Sequence, residues 1–298
     1  MKILISKLPA SGWWSSGIPK YQDNPAMREG AKPNHNKLVA ERERLISILK
    51  KENQTILEID FPTKLDQKNP KHDFIFVRDQ FISNQSDLVL ILRSGERLRR
   101  IENIVMGDIL NKFNYNIINM PDVPGLRADG GEFYFCVKEN ILFSGIQRNT
   151  LSGINYVVET FKIDELLILD GKGYHLDTFF TPVLDSQNLL CATIVCDEIL
   201  TSKSRKDLYE FSKKRNLPIF KVPLKDSIDN HQYENAKFLE EKNSAFICNE
   251  NNLENNLKEL IYKIVKEPKL ITKMKKNISR ISLSDNQNII LENILSND

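Results

Sequence analysis

A repeating order of elements constrains this chain most: strand pair, helix, strand, recurring about every 60–70 residues with no long linker between rounds. Met1–Ser6 reads as a first strand. Leu38, Leu45, Ile46 and Leu49 fall on one helical face among charged residues, which predicts a helix over about 36–51. Thr55–Phe61 is β-type. A strand pair follows at Phe74–Val77 and Leu88–Leu92, then a helix at Ile101–Phe113 and a strand at Asn116–Met120. Phe133–Val137 and Ile141–Ser144 flank the polar residues Lys138, Glu139 and Asn140 as a hairpin. Gly153–Phe161 is a helix and Glu165–Leu169 a strand. Phe179–Leu184 and Leu189–Val195 make the next hairpin, before a helix at Asp207–Arg215 and a strand at Ile219–Pro223. Such a rhythm predicts an α/β fold of repeated modules rather than two unrelated domains.

Composition narrows the function classes. The 298 residues carry 42 Lys and Arg against 40 Asp and Glu, a formal net charge of +2. That balance does not supply the cationic excess of a dedicated nucleic-acid binder. No run approaches the roughly 18 apolar residues of a membrane helix. The N-terminal apolar stretch is too short for a signal peptide. Cys136, Cys191, Cys196 and Cys248 form no CxxC pair and no disulfide framework. A cytoplasmic location, no nucleic-acid partner and no transmembrane segment are therefore expected. The question becomes whether one of the four thiols is a nucleophile.

Four polar clusters sit where strands end or turn. In the first, Asp73 and Asp79 bracket the run Phe74–Val77. On an extended strand they share a face but lie roughly 20 Å apart, so only a bulge or bend would bring both to one ligand. In the second, Asp129-Gly130-Gly131-Glu132, the glycines permit a tight turn and close backbone approach. It is either an ordinary acidic turn or one that presents Asp129. In the third, Arg148 lies between a strand and a helix, either exposed or placed to clamp a carboxylate bidentately. In the fourth, His175 and Asp177 are two apart and on a strand would share a face. That pair is either structural or catalytic. No HxH or HExxH spacing points to a metal.

In this order, the clusters resemble the guanidino-group-modifying superfamily of arginine deiminase, dimethylarginine dimethylaminohydrolase and the amidinotransferases. The resemblance rests on Asp73-x5-Asp79, the Asp129-Gly130-Gly131 turn, Arg148 and His175-Leu176-Asp177-Thr178. The segment from Arg93-Ser94-Gly95-Glu96 to Arg99-Arg100 resembles that superfamily's substrate-carboxylate loop. The resemblance implies a pentein-like fold: a pseudo-symmetric αβ propeller of ββαβ modules over residues 1–225, modified or incomplete at its C-terminal module. It implies a small guanidino compound such as arginine as ligand, and no cofactor or metal. Asp73, Asp79, Asp129 and Asp177 would hold the guanidinium, and His175 would act as acid and then base. Arg99 and Arg148 would meet the substrate carboxylate, and a cysteine thiolate would attack the guanidinium carbon. Self-association into a homo-oligomer is left open.

Two departures accompany this resemblance. Asp129 stands where the better-known relatives carry Glu. The superfamily's nucleophile lies near the C-terminus in a Gly-Gly-x-x-Cys stretch, whereas residues 279–283 here read Ser-Arg-Ile-Ser-Leu. Cys248, in the apolar run Ser244–Cys248, is the remaining candidate, with a buried inert thiol as the alternative. A non-catalytic binding protein is accordingly a second reading of the same residues.

The last quarter, residues 226–298, differs in character. Ala236–Glu240 reads as strand or helix, and Ala245–Cys248 as a strand. Leu257, Leu260, Ile261, Ile264 and Val265 predict an amphipathic helix, with Pro268 opening another. Lys263, Lys266, Lys269, Lys273, Lys275, Lys276 and Arg280 line this stretch, as a solvated face or a surface for anions. The run Asp229–Glu240 with the elements after it resembles the C-terminal part of the cell-wall transferase that moves N-acetylglucosamine from its UDP-sugar to a lipid-linked muramyl-peptide. That resemblance implies Gln232 and Asn235 near the sugar donor. It makes a glycosyltransferase-like module on UDP-N-acetylglucosamine the third reading.

Overall fold

The computed structural model describes residues 2–14, 33–222, 237–248, 253–278 and 280. It is a mixed α/β structure of four small sheets, with no closed sheet among the described residues. The chain divides into two compact units, residues 1–133 with 146–162, and residues 134–145 with 163–298.

In the first unit, β1 (Lys2–Ser6) pairs in parallel with β2 (Thr55–Ile59), Lys2 opposite Thr55 and Ser6 opposite Ile59. Between them runs α1 (His35–Lys51), whose first turn is capped by the Asn34 side chain accepting from Lys37 N, with Lys50 and Lys51 in its last turn. Both ends suit the helix dipole and its orphan backbone groups. The next sheet has order β3-β4-β5. β3 (Phe81–Ser83) pairs antiparallel with β4 (Leu88–Ile91), and β4 parallel with β5 (Asn116–Asn119). α2 (Arg100–Leu110) carries the crossover and closes through a left-handed Asn114. Ile59, Phe74, Val89, Ile91, Val105 and Met106 form the core of this unit. The unit also holds α3 (Leu151–Phe161), capped by Thr150 accepting from Gly153 N.

The second unit holds the strands of two further rounds of the plan. β6 (Phe133–Cys136), β7 (Ile141–Ser144) and β8 (Glu165–Ile168) form one sheet in that order, with β7 and β8 parallel. β9 (Phe180–Leu184) pairs antiparallel with β10 (Leu190–Val195), and β10 parallel with β11 (Ile219–Lys221). α4 (Ser202–Arg215) links the last two, capped by Thr201 and ended by a left-handed Asn216. The three ββαβ modules thus open at Phe81, Phe133 and Phe180, closer together than the expected period. Their connections are tight turns, at Asn140 and Asn188 through positive φ, which Asn tolerates better than most residues.

Two local expectations change. Phe74–Val77 is not a strand: His72–Ile75 and Val77–Gln80 are successive 3-10 turns. Phe74 is fully buried while Phe76 is exposed, so apolar character here marks a turn anchored in the core. His175–Thr178 is not a strand either, because Thr178 Oγ1 donates to the His175 carbonyl at 2.6 Å and closes a 3-10 turn, a side-chain alternative to a ladder. Of the two readings left open for Ala236–Glu240, the described residues 237–241 take the helical one.

The chain after residue 236 adds to the edge of the third module, where Ile247 bridges Lys221 in parallel. α5 (Leu253–Lys266) and α6 (Pro268–Ile278) follow. Ile264 and Met274 pack with Cys191, Ala192 and Phe220, and the Phe220 and Phe246 rings stack at 5.5 Å. None of the described helices is long and apolar enough to cross a membrane.

Candidate functional site

The two 3-10 turns replace the extended run and bury both of their acids, Asp73 and Asp79. They are organised around Arg99, itself buried at the start of α2. Arg99 Nη1 donates to Asp79 Oδ2 at 2.8 Å, and Nη2 to the Asp73 carbonyl at 3.2 Å. Nε and Nη2 both donate to Glu102 Oε2 at 3.0 Å. Burial alone would lower the Arg99 pKa, but Glu102, Asp79, Asp73 and Asp129 more than offset it and hold the group well above its ordinary value. Burial also pushes the Glu102 carboxyl up to about 7, with the Arg99 charge opposing.

Asp129 immediately precedes the 3-10 turn Gly130–Glu132. Its backbone N–H donates to Asn149 Oδ1 at 2.8 Å, and its Oδ2 accepts from Gly95 N at 3.0 Å. The other carboxylate oxygen, Oδ1, is buried with no hydrogen-bond partner among the described residues, in a residue 1% exposed. Glycine is demanded at two places around it. A Cβ on Gly130 would stand 1.9 Å from the Arg78 carbonyl oxygen, and one on Gly95 would stand 2.9 Å from that of Arg148. Arg148 is half-buried, and its backbone N–H donates to Glu132 Oε1 at 2.7 Å. Asp73 is held from another direction, its Oδ1 accepting from Trp14 Nε1 at 2.9 Å.

Asp73, Asp79, Arg99 and Asp129 are therefore one electrostatic cluster in the first unit, with the Arg148 backbone beside it. The guanidinium of Arg99 is turned inward onto protein carboxylates. Glu102, Trp14 and Asn149 join the cluster without having been singled out from the sequence. Only Glu102 left a legible trace there, the i,i+3 spacing from Arg99.

His175 and Asp177 lie in the second unit. His175 is buried and precedes the 3-10 turn Leu176–Thr178, its ring 4.3 Å from that of Tyr174. Asp177 is half-buried. All four cysteines are buried free thiols. Burial pushes Cys136 up to about 12 and Cys196 up to about 11. It also raises Cys248. A nucleophilic thiol needs the opposite shift. Gln232 and Asn235 lie outside the described residues.

Comparison with known proteins returns two unrelated likenesses. Solved structures share the fold over most of the chain. The N-terminal domain of ArgZ, an arginine dihydrolase from the ornithine–ammonia cycle in cyanobacteria, bound to product, is 17% identical with a TM-score of 0.59. The match covers 73% of this chain and 74% of that one. AgrE in a ternary complex with ornithine and NAD+ is 20% identical, with a TM-score of 0.55 over 70% of this chain and 28% of that one. A dimethylarginine dimethylaminohydrolase adduct with S-methyl-L-thiocitrulline is 16% identical, with a TM-score of 0.52 over 69% of this chain and 73% of that one. At these identities the likeness establishes the pentein-type fold. The second likeness is in sequence: residues 210–289 match the model of the glycosyltransferase family 28 C-terminal domain. A 63-residue stretch is 36% identical to the UDP-N-acetylglucosamine–N-acetylmuramyl-(pentapeptide) pyrophosphoryl-undecaprenol N-acetylglucosamine transferase of Rickettsia massiliae, covering 21% of this chain. The chain spans 17% of that transferase's length.

Proposed function

We propose that this protein binds a small guanidino compound such as arginine, with Asp129 and Asp79 as principal partners of the guanidinium. The observation that carries the reading is the buried, unpartnered Oδ1 of Asp129. A carboxylate oxygen left unmet in a buried position is costly, and a guanidinium supplies planar, charge-assisted donors that match it. Arg99 is assigned to hold Asp79 in place, since its donors already point at Asp79, Glu102 and the Asp73 carbonyl. Arg148 is assigned to the ligand carboxylate. Asp73 completes the acidic wall; His175 and Asp177, in the second unit, carry an acid–base role only in the turnover alternative tested below. The fold likeness supports this reading, because the similar structures are described with arginine-dihydrolase product, ornithine or a thiocitrulline.

Binding, rather than turnover, is the assigned activity. Hydrolysis through a covalent intermediate requires a thiolate, and burial raises the pKa of Cys248, Cys136 and Cys196 alike. In this reading residues 1–225 form the modified propeller, and residues 226–298 are a divergent C-terminal module. Isothermal titration with arginine, methylated arginines and acylated arginines tests it. Saturable heat with at least one of them is expected, and no heat with any would sink the assignment. Release of ammonia or amine together with labelling of one cysteine by a thiol-directed haloamidine would show turnover instead.

The second reading has its own observation, the family-model match over residues 210–289. It assigns UDP-N-acetylglucosamine binding to the C-terminal part. Chemical-shift changes at Gln232 and Asn235 on adding UDP would support it, and their absence at saturating UDP would exclude it.

A further inference from the structure

The chain has two tryptophans, Trp13 and Trp14. Both lie in the short segment after β1, against the 3-10 turn His72–Ile75 of the first unit. Trp14 is buried at a φ of 48°, a left-handed backbone that a bulky residue keeps only under constraint. Two side chains of the facing turn supply the constraint. The Trp14 backbone N–H donates to His72 Nδ1 at 2.8 Å, and its indole Nε1 donates to Asp73 Oδ1 at 2.9 Å. Trp13 Nε1 donates to the His72 carbonyl at 3.1 Å, and its ring meets Phe76 edge-on.

These contacts fix the tautomer of His72. A backbone N–H can only donate, so Nδ1 carries the lone pair and the ring hydrogen sits on Nε2. From there it donates to Asp66 Oδ1 at 2.8 Å. The same oxygen accepts from the Ser11 hydroxyl, and Asp66 Oδ2 accepts from the Ser11 backbone N–H at 3.1 Å. Burial opposes the charge on Asp66, but the Ser11 hydroxyl and His72 outweigh it and hold the acid below its ordinary value. Ser11 Oγ stands 3.5 Å from His72 Nε2. That is not a nucleophilic triad, because the nitrogen that would take the serine proton already carries one. His72 is 1% exposed, and the rings of Phe61 and Trp14 pack against it. The charges around it are Asp66, Asp73 and its chain neighbour Lys71, with Arg99 behind the Asp73 carbonyl and Glu102 beyond Arg99. At the end of β1, Lys7 turns to Asp60 at 2.8 Å.

We propose that Ser11–Trp14 is a proton-released strap: neutral His72 holds Trp14 on the turn, and protonation of His72 lets it go. The added proton occupies Nδ1, where it faces the Trp14 N–H, so one hydrogen bond becomes two opposed donors. The Nε2 bond to Asp66 survives and gains charge assistance, which favours the imidazolium. The held strap requires the neutral ring, so it is complete at higher pH and lost as pH falls through the imidazole range of about 5–8. Asp66 keeps its charge throughout that range. Release also relieves the backbone of Trp14. It withdraws the indole from Asp73 as well, and so alters the acidic wall of the guanidino reading, but the strap itself does not depend on that reading.

Tryptophan emission and acrylamide quenching of the full chain, without added ligand, test the strap from about pH 8 to about pH 5. Both fluorophores of the chain report on it. On acidification the emission is expected to shift to the red and quenching to increase, with far-UV circular dichroism unchanged. The ratio of released to held strap should rise by at most about tenfold per pH unit, the slope of one proton. His72→Asn keeps an acceptor near the Nδ1 position and cannot titrate, so its emission should stay at the high-pH value across the range. His72→Gln, which also cannot titrate, should likewise show no transition and reads the same point if the Asn variant does not fold. No change in the native protein would overturn the strap. A transition that persists in the His72 variants, or that vanishes in Glu102→Gln, would overturn the assignment to His72.

Discussion

Glu102 is the residue whose titration should be visible from outside the protein. Burial pushes its folded pKa up to about 7, above the ordinary glutamate value of 4.5. The folded state therefore holds this proton more tightly than the unfolded state. Its contribution to stability is present below pH 4.5 and is lost as pH rises towards 7, a change of roughly 3 kcal/mol at most. Glu102→Gln should flatten that part of the profile, and thermal unfolding followed from pH 5 to pH 8 would show the difference in slope. An equal slope in both proteins would mean that Glu102 does not titrate there. Thiol chemistry is a second observable at this scale. All four cysteines are buried, so a colorimetric disulfide reagent should label none quickly in native buffer and all four after denaturation. Fast labelling of Cys248 alone would revive it as a nucleophile.

At the scale of elements, the turn before β6 depends on Gly130. Gly130→Ala places a Cβ against the Arg78 carbonyl, in a well-packed turn that cannot yield. It should cost about 3 kcal/mol by urea unfolding. Gly107→Ala, in mid-helix with only ordinary contacts around the added methyl, should instead gain about 0.5–1 kcal/mol. Much of this scale was legible in the sequence. Apolar periodicity placed α1, the hairpin β9–β10 and both C-terminal helices, because their partners are local or strongly patterned. The misread segments are those where side chains capture the backbone. Phe74–Val77 has strand composition, yet its acids are drawn into turns around Arg99, a partner 20 or more residues away in sequence. Thr178 does the same to His175 through one hydroxyl. Asp129 was legible as a turn acid, but the vacancy at its Oδ1 exists only once Gly95 and Asn149 have arrived.

At the scale of the molecule, the ββαβ plan appears in three modules among the described residues, and the C-terminal helices share a core with the third. Met274 is 2% exposed within that core, so Met274→Ala should cost about 2–4 kcal/mol, read by denaturant unfolding. A cost near zero would mean that α6 contributes little to the second unit. The account as a whole rests on a guanidinium meeting the carboxylate of Asp129. Its most direct test is isothermal titration of arginine into the full chain and into Asp129→Asn, with circular dichroism confirming that both fold. Saturable heat in the native sequence, weakened at least tenfold in the variant, is the predicted result. Equal binding by the two proteins, or none by the native one, would contradict it.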